Sequence, residues 1–405
     1  MIRIGIVGCG RILAAHLRGY RLLREAGIHD FRITSLCARN PDDAIGYIRQ
    51  DPSHPQRTPV STLKGDPLSI ASEYLENFQP DTKVTVTENY SELIASNDVD
   101  AVNDFTSHGL HHIIAKECST HGKDLLTQKP IALNPSAGQS MVDQFQRHKL
   151  ILGVCENWRF RHQTRHVRWA IDHGLIGTLQ QLHFTNIGNW WAPRQVVAQT
   201  PWRHQKKEGG GITLDIGPHL FHWVRHLGGE VLDVTGRMSC IESKRAMPTP
   251  NESESERWIP CDADDTMTAS FQTANSVTGS LTASWAGGGQ GITLGSGPQV
   301  IGSDGMIDGD QLSLNNAPAS NIADLYHRDC PKERQNLEFP LGVTDSFALL
   351  QYDWLSAIRE RSQPEVDGEE GLRDLACAFA VMESDSTGQR VAVQDLLNKS
   401  TPSNQ

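Results

Sequence analysis

The sequence has no C-x-x-C pair, no excess of basic charge and no apolar run near the ~18 residues a membrane-spanning helix needs. Each absence excludes something. The eight cysteines (Cys9, Cys37, Cys118, Cys155, Cys240, Cys261, Cys330, Cys377) are scattered, several within apolar runs. That pattern points to reduced, mostly buried thiols in a cytoplasmic protein. With 37 basic against 48 acidic residues the net charge is −11, so the electrostatic footprint expected for nucleic acid or an anionic membrane is missing. Small molecules are the expected partners. The N-terminus runs straight into an apolar strand, and no signal peptide is expected. Internal repeats and low-complexity tracts are also absent.

What is present is a chain of 405 residues, 38% hydrophobic and 21% charged, with 35 glycines. This length suits two domains rather than one core, and the composition suits an α/β protein. The expected boundary divides residues 1–155 from 156–405.

The first half is organised around Arg3 to Leu17. Ile4, Ile6 and Val7 form the short β-branched run of a buried parallel strand, and Gly8 and Gly10 follow where that strand must turn. A helix starting beyond the turn aims free N–H groups at the same point, making Gly8, Cys9, Gly10, Arg11 and Ile12 a candidate pyrophosphate cradle. Leu13 stands where a small residue usually allows close helix–strand packing, with Ala14 and Ala15 behind it. A plain strand–turn–helix is the alternative reading.

Phe31 to Arg39 reads as the second strand. An acidic residue at its end would take the ribose hydroxyl of NAD; the chain offers Ala38 and Arg39, and an arginine can pair with the 2′-phosphate of NADP. Arg39 is otherwise a solvated charge, and the reading leans to NADP. Residues 46–83 read as a polar, proline-rich insertion with a short helix near Leu68 to Asn77. The buried strand Val99–Val102 ends in Thr106, Ser107, His108, His111 and His112, polar residues expected at the ligand crevice of a doubly wound sheet. A metal site there lacks a matched carboxylate or cysteine, and histidines of a loop or helix start are preferred. Leu125 and Leu126 make a further strand, followed by Gln128, Lys129 and Pro130. Lys129 either lies over the crevice, aiming its charge at a substrate oxygen, or faces solvent.

From Thr178 onward the pattern changes to longer alternating strands: Gln181–Gly188, Val231–Ile241, Thr266–Gln272 and Val277–Trp285. An α+β domain with a large, mostly antiparallel open sheet is expected. Pro248–Pro260 reads as a loop. Ser346–Arg361 and Glu369–Gln389 read as amphipathic helices of this second domain. Within Gly209–His226, Asp215, His219, His222 and His226 fall within about 60° of one another on a helix, forming one polar seam. Pro218 would bend that helix unless it begins nearby. Acid–base catalysis by His219 with Asp215 as orienter, a satisfied structural face, and a metal site of Asp215, His219 and His222 all compete. Trp190, Trp191, Arg194, Trp202 and Arg203 hint at a sugar platform with polar contacts.

Together these segments resemble the Gfo/Idh/MocA family of NAD(P)-dependent oxidoreductases. The resemblance rests on Gly8-x-Gly10 followed by His16, Asp100-x-Val102 leading to His108-x-x-His111, Gly122 through Gln128-Lys129-Pro130, and Gly209 with Asp215-x-Gly217-x-His219. Asn157 through Phe160, Gly174-x-x-Gly177, Ser303-x-Gly305 and Ser384 with Gly388 extend it over nearly the whole chain. It implies an N-terminal Rossmann domain, a C-terminal domain that binds substrate and forms homo-oligomer contacts through its sheet, and an active site between them.

The resemblance assigns Lys129, Asp215 and His219 as catalytic. The cofactor set then includes Thr106, His108, His111, Gln128 and Lys129, and the substrate set Lys129, Arg159, Trp202, Arg203, Asp215, His219 and His222. The substrate class implied is a sugar, polyol or related compound, exchanging a hydride with NAD(P). Some similar members instead hydrolyse glycosides with tightly held NAD, and a sensor without turnover on the same fold is a further alternative. Four residues depart from the family pattern: Gln128 replaces glutamate, His108 asparagine, Leu13 a small residue and His222 aspartate.

Overall fold

The structure, a computed structural model, describes residues 1–51, 69–70, 73–188, 194–247, 257–287, 298–315 and 317–400. Trp190, Trp191, most of the loop expected at Pro248–Pro260 and the start of the helix expected near Leu68 lie outside the described residues. Of that helix, a single 3-10 turn at Leu75–Asn77 is described. Two compact units result. The first comprises residues 1–133, 137–160 and 339–371, and the second residues 134–136, 161–338 and 372–405.

The first unit is a six-stranded parallel sheet of β1 (Ile2–Val7), β2 (Phe31–Cys37), β3 (Thr85–Thr87), β4 (Ala101–Asp104), β5 (Asp124–Gln128) and β6 (Leu152–Cys155). Its order is β3-β2-β1-β4-β5-β6, the doubly wound Rossmann arrangement, whose direction of winding reverses between β1 and β4. Ile4, Ile6, Ala101, Val102 and Leu125 are fully buried, as expected of strands covered on both faces. The helices between strands are α1 (Leu13–Glu25), α2 (Pro41–Ile45), α3 (Tyr90–Ala95), α4 (His111–Thr120) and α5 (Pro135–His148).

The second unit holds α6 (His162–Asp172) and a nine-stranded mixed sheet. Its strands are β7 (Leu179–Ile187), β8 (Val231–Ser239), β11 (Thr266–Thr273), β12 (Thr278–Ser284), β13 (Gln299–Gly302), β14 (Gly305–Asp308), β15 (Gln311–Leu314), β16 (Ser320–Asn321) and β17 (Val391–Ala392). The order is β16-β15-β14-β13-β7-β12-β11-β8-β17. Pairing is antiparallel except between β7 and β12, which run parallel. β9 (Lys244–Met247) and β10 (Arg257–Pro260) form a separate two-stranded sheet. Before β8 come α7 (Ile212–Asp215) and α8 (Gly217–Gly228), and later α9 (Ile322–Asp329) and α10 (Lys332–Glu338).

One helix departs from the expected boundary. α11 (Ser346–Glu360), read from the sequence as part of the second domain, belongs to the first unit. Its N-terminus is capped by Asp345, whose carboxylate accepts from the Phe347 and Ala348 N–H groups and pairs with Arg18 of α1 at 2.8 Å. Gly19 explains how closely the two helices approach: a Cβ there would lie 2.9 Å from the Ala348 nitrogen. Only a glycine lets the backbones meet at that distance. The chain then enters α12 (Gly368–Thr387) and, after β17, α13 (Val393–Ser400).

Candidate functional site

In the first unit the glycine turn has two different requirements. Gly8 has φ +98°, and a Cβ there would lie 2.6 Å from the Phe105 backbone beyond β4. Its glycine is demanded by the protein. Among the described residues, its chain neighbours aside, a Cβ on Gly10 would meet no atom within 4 Å, so the space above Gly10 is open to a ligand. Tyr47, almost fully buried, donates to the Gly10 carbonyl at 2.8 Å and fixes the turn. The first turn of α1 has no side-chain cap and no acidic residue, leaving its N–H groups and positive dipole end for an anion. Cys9 is buried, Arg11 exposed and Ile12 half-buried. Leu13 and Ala15 are both fully buried in that first turn. At the end of β2, Ala38 is buried and Arg39 exposed, and Asn40 caps α2.

The turn carrying Lys129 is gathered against the same region. Lys129 is half-buried and precedes Pro130 through a cis peptide bond. His111, fully buried at the start of α4, places Nδ1 2.9 Å from the Pro130 carbonyl and Nε2 3.3 Å from the Thr106 carbonyl. His108 is buried with its ring centroid 5.9 Å from that of His111. The Asp104 carboxylate accepts from the Thr106 hydroxyl at 2.6 Å and the Thr127 hydroxyl at 3.0 Å, joining β4 to β5. Gln128 reaches back to His16 Nε2 at 2.9 Å. Gly8, Thr106, His108, His111, Gln128 and Lys129 thus converge at the carboxyl ends of β1, β4 and β5. Expected as a cofactor contact, His111 instead has both ring nitrogens at backbone carbonyls. Arg159, just beyond β6, has its Nε 3.0 Å from Glu365.

In the second unit, Asp215 ends α7 and is 5% exposed. The Arg203 Nε donates to its Oδ2 at 2.8 Å, Arg203 Nη1 donates to the Thr200 hydroxyl at 2.6 Å, and the guanidinium lies 4.4 Å over the Trp202 ring. The structure therefore brings Trp202, Arg203 and Asp215 together. The helix breaks at Ile216, and Pro218 sits in the first turn of α8, where a missing N–H costs nothing. His219 follows, 8% exposed. The expected seam is divided. His222 is 1% exposed, with Nδ1 2.8 Å from Asp374 Oδ2, and Arg225 donates to the other oxygen of Asp374. His222, expected to touch substrate, supports α8 in a buried ion-pair cluster.

The Gly209–Gly211 run serves this local packing. A Cβ on Gly210 would lie 2.6 Å from the Arg203 carbonyl, and one on Gly211, at φ +119°, would collide with Asp264. Asp264 accepts from the Thr213 N–H and hydroxyl at 2.9 and 2.6 Å, starting α7; burial pushes its carboxyl above the usual range. Sequence reasoning did not single out Thr200, His204 or Asp264. His204 is buried and accepts from the Val197 N–H at 3.0 Å, with its pKa lowered to about 4 by burial and then by Arg245 and Arg203. Asp264 is defined by Thr213, 51 residues away; Thr200 and His204 have partners three and seven residues off, but in irregular chain that no periodicity marks. Among the described residues, no group of three or more His, Cys, Asp or Glu side chains is arranged to hold a metal ion. Among them, too, no helix is long and apolar enough to cross a membrane.

A family model described as "Oxidoreductase family, NAD-binding Rossmann fold" matches residues 66–156, and one described as "GFO/IDH/MocA C-terminal domain" matches residues 164–308. The chain is 27% identical to levoglucosan dehydrogenase of Pseudarthrobacter phenanthrenivorans over 49% of this chain and 52% of that protein. It is 25% identical to myo-inositol 2-dehydrogenase of Thermotoga maritima over 57% and 56% respectively. The chain spans about half the length of these curated relatives. A solved structure of levoglucosan dehydrogenase in complex with NADH and L-sorbose shares the fold, with TM-score 0.73 at 19% identity over 98% of this chain and 100% of that one. Since the two family models together match more than half of the sequence, the chain belongs to the Gfo/Idh/MocA family of oxidoreductases.

Proposed function

We propose that the protein is an NAD(P)-dependent dehydrogenase or reductase acting on a CH–OH group of a sugar, polyol or related compound. The observation that carries this reading is the convergence, at the carboxyl ends of β1, β4 and β5, of an uncapped helix start, an open space above Gly10 and the Lys129 turn. Gly8 through Ile12 would hold a pyrophosphate through backbone N–H groups, and Thr106 with His108 would flank it. A nicotinamide dinucleotide held there supplies the hydride acceptor or donor. Arg39, exposed at the end of β2 with no acidic residue at positions 38–40, favours the 2′-phosphate of NADP.

In the oxidative direction Lys129 stabilises the developing alkoxide and His219 accepts the hydroxyl proton. Asp215, held by Arg203, orients the substrate or His219, and Trp202 offers an apolar face to a sugar ring. Arg159 remains a candidate for polar contact with substrate. The first unit is the cofactor domain and the second the substrate domain, whose sheet provides homo-oligomer contacts. Eight free thiols, seven of them buried, support a cytoplasmic setting.

The test is mass spectrometry of the cofactor that co-purifies, followed by a panel of sugars and polyols assayed for cofactor reduction. Turnover with net reduction supports the reading. Cofactor retained through glycoside cleavage without net reduction would point to the hydrolase chemistry known among similar members, and saturable binding without turnover to a sensor; either overturns it.

A further inference from the structure

We propose that His16 and His111 are positioning residues that grip the Lys129 turn from its two sides, His16 through the Gln128 side chain and His111 through the Pro130 carbonyl, with Gln351 selecting which His16 nitrogen carries the proton. The effect on turnover rests on the dehydrogenase reading above. The hydrogen-bond chain itself does not.

His16 is fully buried in α1, stacked on Phe105 at 3.9 Å and meeting Phe347 edge-on at 4.9 Å. Its two nitrogens each face a glutamine amide nitrogen at 2.9 Å, Gln128 at Nε2 and Gln351 at Nδ1. Burial lowers its pKa to about 3, so the ring is neutral, with one N–H and one lone pair. Two amide N–H groups cannot both be accepted by such a ring. One glutamine must turn its oxygen to it. Turning Gln351 about its last bond would put its amide nitrogen, a double donor, into the buried place where its Oε1 has no partner, so Gln351 keeps its N–H toward the lone pair on Nδ1 and the half-buried Gln128 turns its oxygen to His16 Nε2–H. The chain runs Gln351 N–H to His16, and His16 N–H to Gln128, with no like ends facing.

At position 128 a carboxylate could only accept. The amide oxygen of Gln128 accepts the same Nε2 proton without charge, so the residue before Lys129 is held by a neutral bond whose direction α11 sets. On the other side of Lys129, the nearer contact of His111 takes its Nδ1–H to Pro130.

The experiment uses full-length protein with 15N-labelled histidine, reading the His16 tautomer by NMR, together with steady-state kinetics and acylation mapping of Lys129 against the exposed Lys207. In the wild type the His16 proton is expected on Nε2, and in Gln351→Glu on Nδ1. Gln351→Leu should lower kcat about tenfold, of the order of one or two lost hydrogen bonds, with cofactor Kd unchanged. It should also raise Lys129 acylation relative to Lys207, and Gln351→Glu, whose carboxylate draws the proton to Nδ1 and bonds it there, should reverse both effects. A wild-type proton on Nδ1, no tautomer change in Gln351→Glu, or unaltered Lys129 acylation in Gln351→Leu would each overturn the proposal. Absence of turnover in the wild type would sink the dehydrogenase reading alone, since tautomer and acylation are measured without substrate.

Discussion

Lowering the pH from about 7.5 to about 5 is expected to destabilise the second unit roughly twice as much as the first through buried neutral histidines. His16 in the first unit, and His166 and His204 in the second, have pKa values lowered to about 3, about 3 and about 4 from 6.5, burial being the largest cause in each. Geometry agrees for His204, whose ring nitrogen accepts a backbone N–H and so cannot carry a proton. Because the folded pKa lies below the unfolded one, the unfolded chain binds more protons between the two values. The stability is complete above pH 6.5 and is lost as pH falls toward 3 or 4. At about pH 5, some 1.5 units below 6.5, each histidine costs about 2 kcal/mol, hence about 2 for the first unit and about 4 for the second. Asp367 and Asp264, whose carboxyls burial pushes up, act in the opposite sense, so the histidine contribution is isolated by substitution. Urea unfolding followed by tryptophan fluorescence at both pH values, in wild type and His204→Gln, measures it. The variant should shed about 2 kcal/mol of the pH-dependent loss. Equal losses in the two proteins would refute the reasoning.

Three further outcomes are expected. Gly19→Val should force α1 and α11 apart, since a Cβ there would lie 2.9 Å from the Ala348 nitrogen; a loss of about 1–3 kcal/mol in first-unit stability is expected, and an unchanged melting temperature would contradict that close approach. Arg39→Asp should shift the kcat/KM preference from NADP toward NAD by about tenfold or more, and no shift would remove Arg39 from the cofactor site. Arg203→Lys should fail to restore the activity lost in Arg203→Met, because one ammonium cannot reproduce the paired contacts to Asp215 and Thr200; full activity in the lysine variant would argue against the paired geometry.

The residues that could be read from the sequence are those whose partners lie close along the chain. β1 and its glycine turn follow from a β-branched run ending at Gly8, and the helix start at Pro218 from proline's tolerance of a first turn. His111 and His112 fall at the start of α4, as a loop-end or helix-start reading requires. What could not be read depends on distant segments. Gln351 reaches His16 across 335 residues, and Asp374 takes His222 across 152, so periodicity alone could not divide the polar seam. The placement of α11 depends on Gly19, one small residue in an otherwise ordinary helix. The parallel pairing of β7 and β12 escaped because alternation reveals a half-buried strand without its neighbour or direction.

In the proposed reaction a carbon-bound hydrogen leaves the substrate and stays on the nicotinamide. A polyol or sugar found active in the panel, deuterated at the reacting carbon, measures this directly when the reduced cofactor is isolated and weighed. Deuterium in the cofactor is expected with wild type, and its transfer should be lost in Lys129→Ala and His219→Ala while cofactor binding persists. Deuterium returned to a cleaved product, or transfer undiminished in both variants, would contradict the account.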